Sequence, residues 1–314
     1  MFTNATCVMI GDKEVQSIVT SDGGILYEKS STGCALRVSS NKSSISHSLN
    51  ESATITATLT NDGVGVSGET ISFKGISGKY VDNASSANLS KYDISSATVT
   101  YNSNAYDVQV SHPGGGITTN GVLRLPIIDF TDFTFEAKIS ASTVQANSYL
   151  GLRISSSTGR YDLTLSDVSG HKYLAFKDET NTGDATSDGM WTTGSYYLLV
   201  MTLEGTTLTG TIYNSNYSQL FTYSFSLTSE RVSALAYLDV VVADGNPSSG
   251  SMAASVKDIK VTALNSTLLT ENLGTAITNN NGAATLSYVG EAAGSVTIKG
   301  EYNALNDSVN LTVT

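Results

Sequence analysis

The chain has 314 residues, long for a single sandwich and comfortable for two or three β modules. Charged residues make up only 14% of it, and the rest of its polar surface is Ser, Thr, Asn and Gly, a composition of extracellular β proteins rather than helical ones. A net charge of -11 without any Lys/Arg stripe argues against nucleic-acid binding and against docking on anionic membranes, and no apolar run is long enough for membrane insertion.

Residues 1–35 read as a β-hairpin segment. Val8, Ile10, Val15, Ile18 and Val19 are its apolar positions, and Ser21-Asp22-Gly23-Gly24 turns the chain into Ile25-Leu26-Tyr27-Glu28. The two cysteines, Cys7 and Cys34, form a disulfide or stay as small buried apolar groups; two in a chain of this size are no disulfide framework. Met1-Phe2-Thr3-Asn4 lacks the basic start of an export signal, so the expectation is either a trimmed signal or delivery as part of a particle assembled in the cytoplasm.

From Leu36 the pattern alternates with a period of two. Ile55, Ala57 and Leu59 face one way and Thr54, Thr56, Thr58 and Thr60 the other; Ile71 and Phe73 follow after Asn61-Asp62-Gly63. The same texture returns in Ala284, Leu286 and Tyr288, in Val296 and Ile298, and in Val309, Leu311 and Val313, after the turn Asn279-Asn280-Asn281-Gly282. Neither end holds enough strands for a sandwich, but residues 36–76 and 266–314 together do. One domain split by a guest module over residues 80–263 is therefore expected. The guest is strand-rich itself. Phe133, Phe135, Ala137 and Ile139 form one apolar row, Phe221, Tyr223 and Phe225 another, and Leu238, Val240 and Val242 a third. Tyr196–Met201, apolar on both parities, predicts a central strand covered on both faces.

Ser52-Ala53-Thr54-Ile55-Thr56-Ala57, Gly65–Phe73, Thr275–Leu286 and Gly294–Lys299 resemble, in order, parts of an invasin-type bacterial immunoglobulin-like domain. Within the guest, Asp82-Asn83-Ala84-Ser85, Asn120–Leu125, Phe130–Ala137, Trp191, Glu204–Tyr213 and Val256–Val261 resemble a concanavalin A-like lectin/glucanase jelly roll of the laminin-G-like type. Ile10–Ile18 with the turn after it resembles displayed hairpins of tailed-virus tail and fibre proteins. The expected fold class is thus all-β: an immunoglobulin-like sandwich interrupted by a jelly-roll sandwich, with a short N-terminal hairpin.

Glycoside hydrolases on that jelly roll present paired carboxylates, often as Glu-x-Asp-x-x-Glu, and this chain has no such pattern. Glu136, followed by Ala137-Lys138-Ile139, reads as a solvent-facing carboxylate beside a lysine. His47, His112 and His171 share no metal-ligand spacing. No enzyme activity is expected. The jelly-roll resemblance implies a structural Ca²⁺ held near the module's start and end, where Asp82 and Asp258 fall, against ordinary turn or strand roles for both. Sugar recognition needs aromatic faces and polar rims. Sixteen tyrosines and one tryptophan supply them, so the candidate ligand residues are Trp191, Asp184 and Asp188 on and beside the acid-rich loop, and Asn147, Tyr149, Asn214 and Tyr217 at hairpin tips. Plain packing for Trp191 and plain turn chemistry for the tips stand beside that reading. Together the resemblances imply an adhesin or receptor-binding protein on a virion tail or extracellular surface. Its ligand would be a host cell-surface glycan or protein, and other tail proteins or further copies of the chain, as in a trimer, would be its assembly partners. A microbial cell-surface adhesin and a polysaccharide hydrolase relying on Glu136 are the alternatives.

Overall fold

The computed structural model describes residues 33–84, 89–112, 119–156, 159–179, 185–188, 191–244, 250–290 and 292–314, with short strands at Met9–Ile10, Lys13–Glu14, Ser17–Val19 and Ile25–Glu28. The protein is all-β. Its chain divides into two compact units, residues 1–77 with 272–314, and residues 78–271.

In the first unit, Met9–Ile10 pairs with Lys13–Glu14, and Ser17–Val19 with Ile25–Glu28. Cys34 is disulfide-bonded; Cys7 lies outside the described residues. The larger part is a sandwich. One sheet contains Ala283–Val289, Ser52–Asn61 and Cys34–Ser40, and the other contains Thr70–Ser77, Gly294–Tyr302 and Leu305–Val313. Residues from both ends of the chain are paired directly: Ala57 lies opposite Ala284, and Phe73 opposite Gly300. Ile55, Ala57, Leu59, Ile71, Phe73, Ala284 and Ile298 fill one core, so the alternation in the sequence marks the buried face of each strand. Asp62 (φ 53°) and Gly63 (φ 82°) make the left-handed turn that a tight hairpin needs, and the chain returns at once through the short strand Val64–Gly65.

The second unit is a jelly-roll sandwich, in which the chain passes repeatedly between two sheets. One sheet runs, in spatial order, through Thr98–Tyr101, Tyr106–His112, Gly250–Ala263, Phe133–Thr143, Tyr197–Glu204, Thr207–Tyr213 and Gln219–Ser226, with Lys79–Asp82 also paired to Gly250–Ala263. The other runs through Asp93–Ser95, Thr119–Arg124, Leu235–Asp244, Ser148–Ser156, Arg160–Val168, His171–Asp178 and Ala185–Asp188. Phe133, Phe135, Leu150, Leu152, Leu163, Phe176, Leu199, Val240 and Met252 share the core between them.

Two expectations about this unit are corrected. The strand Tyr197–Glu204 buries Tyr197, Leu199, Met201 and Leu203, while Leu198 and Val200 on its other face are only half-buried. Leu235–Asp244 is covered on both faces instead: Leu238, Val240 and Val242 on one side and Val241 and Ala243 on the other are all inaccessible. The row Phe221–Tyr223–Phe225 is not uniformly core: Gln219–Ser226 is an edge strand, and Tyr223 is exposed, packing edge-on against Phe225.

Candidate functional site

The outward face of the seven-stranded sheet carries charge in register. Antiparallel pairing sets Asp93 opposite Arg124, Arg124 opposite Asp239, Asp239 opposite Arg153, Arg153 opposite Asp162, and Asp162 opposite Lys177. The signs alternate across six strands. In four of these strands the charge sits between two core residues, as in Leu152-Arg153-Ile154 and Leu238-Asp239-Val240, because the pleat turns neighbours to opposite faces.

The middle of this row is buried and geometrically fixed. Arg153 donates from Nε to Asp162 Oδ1 at 2.7 Å and from Nη2 to Asp162 Oδ2 at 2.9 Å, a fork-on-carboxylate pair. Burial pulls the Arg153 pKa down, but the hydrogen bond and charge of Asp162 outweigh it and the net shift is upward. Arg124 donates to Asp239 at 2.9 Å, and its guanidinium lies 3.8 Å from the centre of the Tyr237 ring. The Asp239 hydrogen bond raises the Arg124 pKa against the opposing effect of burial. Ser155 Oγ also donates to Asp239, at 3.2 Å. Tyr149 joins the same network: its hydroxyl donates to Asn120 at 2.7 Å and accepts from Arg153 at 3.2 Å, and the small residue Ala243 stands on the strand between Asn120 and Tyr149.

Beside this row lies a cavity of about 270 Å³, lined by Arg124, Arg153, Arg160, Asp239, Glu179 and Ser155 among others. Arg124, Arg153, Ser155 and Asp239 of this lining stand on strands of the sheet, which positions their donors and acceptors for a polar ligand. Asp162 and Asp239 are each engaged by a guanidinium, so neither is presented as the bare acid or nucleophile that glycoside hydrolysis requires.

Of the ligand residues expected from sequence, only Tyr149 belongs to this network. Trp191 is instead a core residue, 2% exposed; its indole N–H donates to the Ser166 carbonyl at 3.1 Å and Lys172 lies over its ring, so no face of it is offered to a sugar. Asn147 (φ 60°) is a turn residue accepting from the Ser169 N–H, and Asn214 accepts from the N–H groups of Asn216 and Ser218, which closes its own hairpin tip. Tyr217 is exposed at that tip, with Lys138 near its ring. Asp188 sits opposite Tyr173 at the sheet edge, its side chain outside the described residues, as is Asp184 altogether.

The two aspartates expected to hold calcium each have an ammonium partner. Asp82 is buried; it accepts from Lys91 at 2.8 Å, from the Tyr106 hydroxyl at 2.9 Å, from the Tyr92 hydroxyl, and from the Ala84 N–H at 2.7 Å. Burial, then the neighbouring Tyr80 and Asp82, push the Tyr92 hydroxyl pKa well up. Asp258 is half-buried and pairs with Lys138 at 2.9 Å; that bond, followed by one to Tyr217, raises the Lys138 pKa. Among the described residues no three His, Cys, Asp or Glu side chains gather as metal ligands. Glu136 is paired with Lys260 at 2.5 Å across the sheet rather than with its sequence neighbour Lys138.

The chain matches no family model and no curated relative. Several solved structures are similar over part of it. Lectin II from Ulex europaeus is 11% identical, over 59% of this chain and 97% of its own, with a TM-score of 0.41. A carbohydrate-binding module from Bacillus subtilis is 11% identical, over 57% of this chain and 99% of its own, with a TM-score of 0.40. An immunostimulatory antigen and pseudo β-1,3-glucanase of Mycobacterium tuberculosis is 11% identical, over 59% and 98%, with a TM-score of 0.45.

Proposed function

We propose that residues 78–271 form a glycan-binding module and that the chain is a non-catalytic adhesin. The remaining residues act as its immunoglobulin-like carrier, and the site of display is an extracellular surface, in the finer reading a viral tail fibre or tail tip. The observation that carries the binding reading is the cavity beside the charged row. Arginine, serine and aspartate groups converge there on one face of a rigid sheet, and such groups fix sugar hydroxyls. The carrier role rests on the alternating strands at both ends of the chain, and the surface location on the weakly charged, hydroxyl-rich composition.

A glycan array probed with the whole chain, alongside intact envelope polymer from candidate hosts, tests the binding reading. Binding is expected, and Tyr237→Ala, at an exposed ring that stacks on Arg124, should weaken it without unfolding the protein. Binding only to a surface protein, or no binding at all, would overturn it. Release of reducing ends from bound glycan would overturn the non-catalytic part. Labelling of assembled virions by an antibody to the chain tests the tail location.

A further inference from the structure

The whole chain contains five arginines, Arg37, Arg124, Arg153, Arg160 and Arg231, in a protein of net charge -11. Three of them, Arg124, Arg153 and Arg160, line a single cavity. Two are committed to buried carboxylates: Arg153 forks onto Asp162, and Arg124 reaches Asp239. Arg160 is different. Its Nε is buried and lies 3.3 Å from Asp162 Oδ2, an ion pair without a hydrogen bond. Its Nη2 pairs with Glu179, whose side chain is 46% exposed. An ion pair open to water contributes at most about 1 kcal/mol, so Glu179 is a replaceable partner. Arg124, Arg153, Ser155 and Asp239 around the cavity are set on strands of the sheet.

Resting on the glycan-binding reading above, we propose that this cavity selects an acidic sugar, a uronic or sialic acid residue. The ligand carboxylate displaces Glu179 and takes the Arg160 Nη2 that Glu179 holds, while Ser155 and the Arg124 guanidinium meet ring hydroxyls. The fork of donors on an arginine matches a carboxylate and has no equal complement in a neutral sugar. Glu179 holds the place of that carboxylate on Arg160, and Asp162, Asp239 and Glu179 balance the three guanidinium groups.

The test is calorimetric titration of the intact chain with oligogalacturonate and with sialyllactose, set against carboxyl-reduced oligogalacturonate and lactose as neutral counterparts. At least one acidic ligand should bind about tenfold or more tightly than its neutral counterpart. Arg160→Gln should abolish that preference. Glu179→Gln should tighten acidic binding by about two- to fivefold, the reverse of what loss of a structural contact would do, since it removes the competitor. This variant also serves if Arg160→Gln fails to fold, because its side chain is exposed. Equal affinity for acidic and neutral forms, or an acidic affinity that Glu179→Gln leaves unchanged or weakens, would sink the inference. Selective binding of neutral glycans would sink it while leaving the glycan-binding reading standing, and absence of binding to any glycan would sink both.

Discussion

Arg153 and Asp162 show how single residues set the character of the sheet face. Both side chains are more than nine-tenths buried, so each depends on the other to offset its desolvation. Removing one leaves an uncompensated charge, and Asp162→Ala should cost about 3–5 kcal/mol in urea unfolding. The double change Arg153→Met with Asp162→Leu should recover much of that loss, because apolar replacements need no partner. Trp191 carries a second prediction. As the chain's one tryptophan, and a buried one, it should emit at short wavelength and resist acrylamide quenching, and saturating glycan should leave its emission unchanged. A red-shifted emission that responds to sugar would return it to the ligand surface. The burial of this residue was not legible beforehand, since an aromatic that ends a polar loop reads the same whether it points into a core or out of it.

At the scale of elements, the turn before the strand Ala283–Val289 joins distant parts of the smaller sandwich. Gly282 has φ 76°, its carbonyl accepts from the Leu59 N–H at 2.9 Å, and a Cβ placed on it would lie 2.1 Å from the Leu59 carbonyl oxygen. Gly282→Ala therefore combines left-handed strain of about 1–3 kcal/mol with a backbone clash, and should lower the melting temperature clearly. The sequence Asn279-Asn280-Asn281-Gly282 was readable as a turn, but its partner strand was not. In the strand Gly294–Tyr302, hydrogen bonds from Lys299 and then Lys74 hold the Glu301 pKa below its ordinary 4.5. A carboxylate with a lowered native pKa contributes stability that is fully present above its unfolded value and is lost as pH falls through the native one. Stability of this sandwich should thus decline below about pH 4.5, and Glu301→Gln should flatten that part of the curve.

For the whole molecule, two separate cores predict two unfolding transitions by calorimetry, with Glu301→Gln affecting one and Asp162→Ala the other. A single transition shifted by both would contradict independent cores. The all-β class, the buried parity of most strands and the turns were determined by the sequence itself, because period-two alternation and Asn/Gly chemistry act between near neighbours. Leu152-Arg153-Ile154, Tyr161-Asp162-Leu163 and Leu238-Asp239-Val240 even carried the signal of the site, a charge set inside an apolar strand. What they did not carry was register. Only the tertiary structure decided that these charges stand opposite one another and that Arg124, Arg153 and Arg160 line one cavity. Pairing across as many as 115 residues of chain is set by how whole sheets close, and no local pattern encodes it.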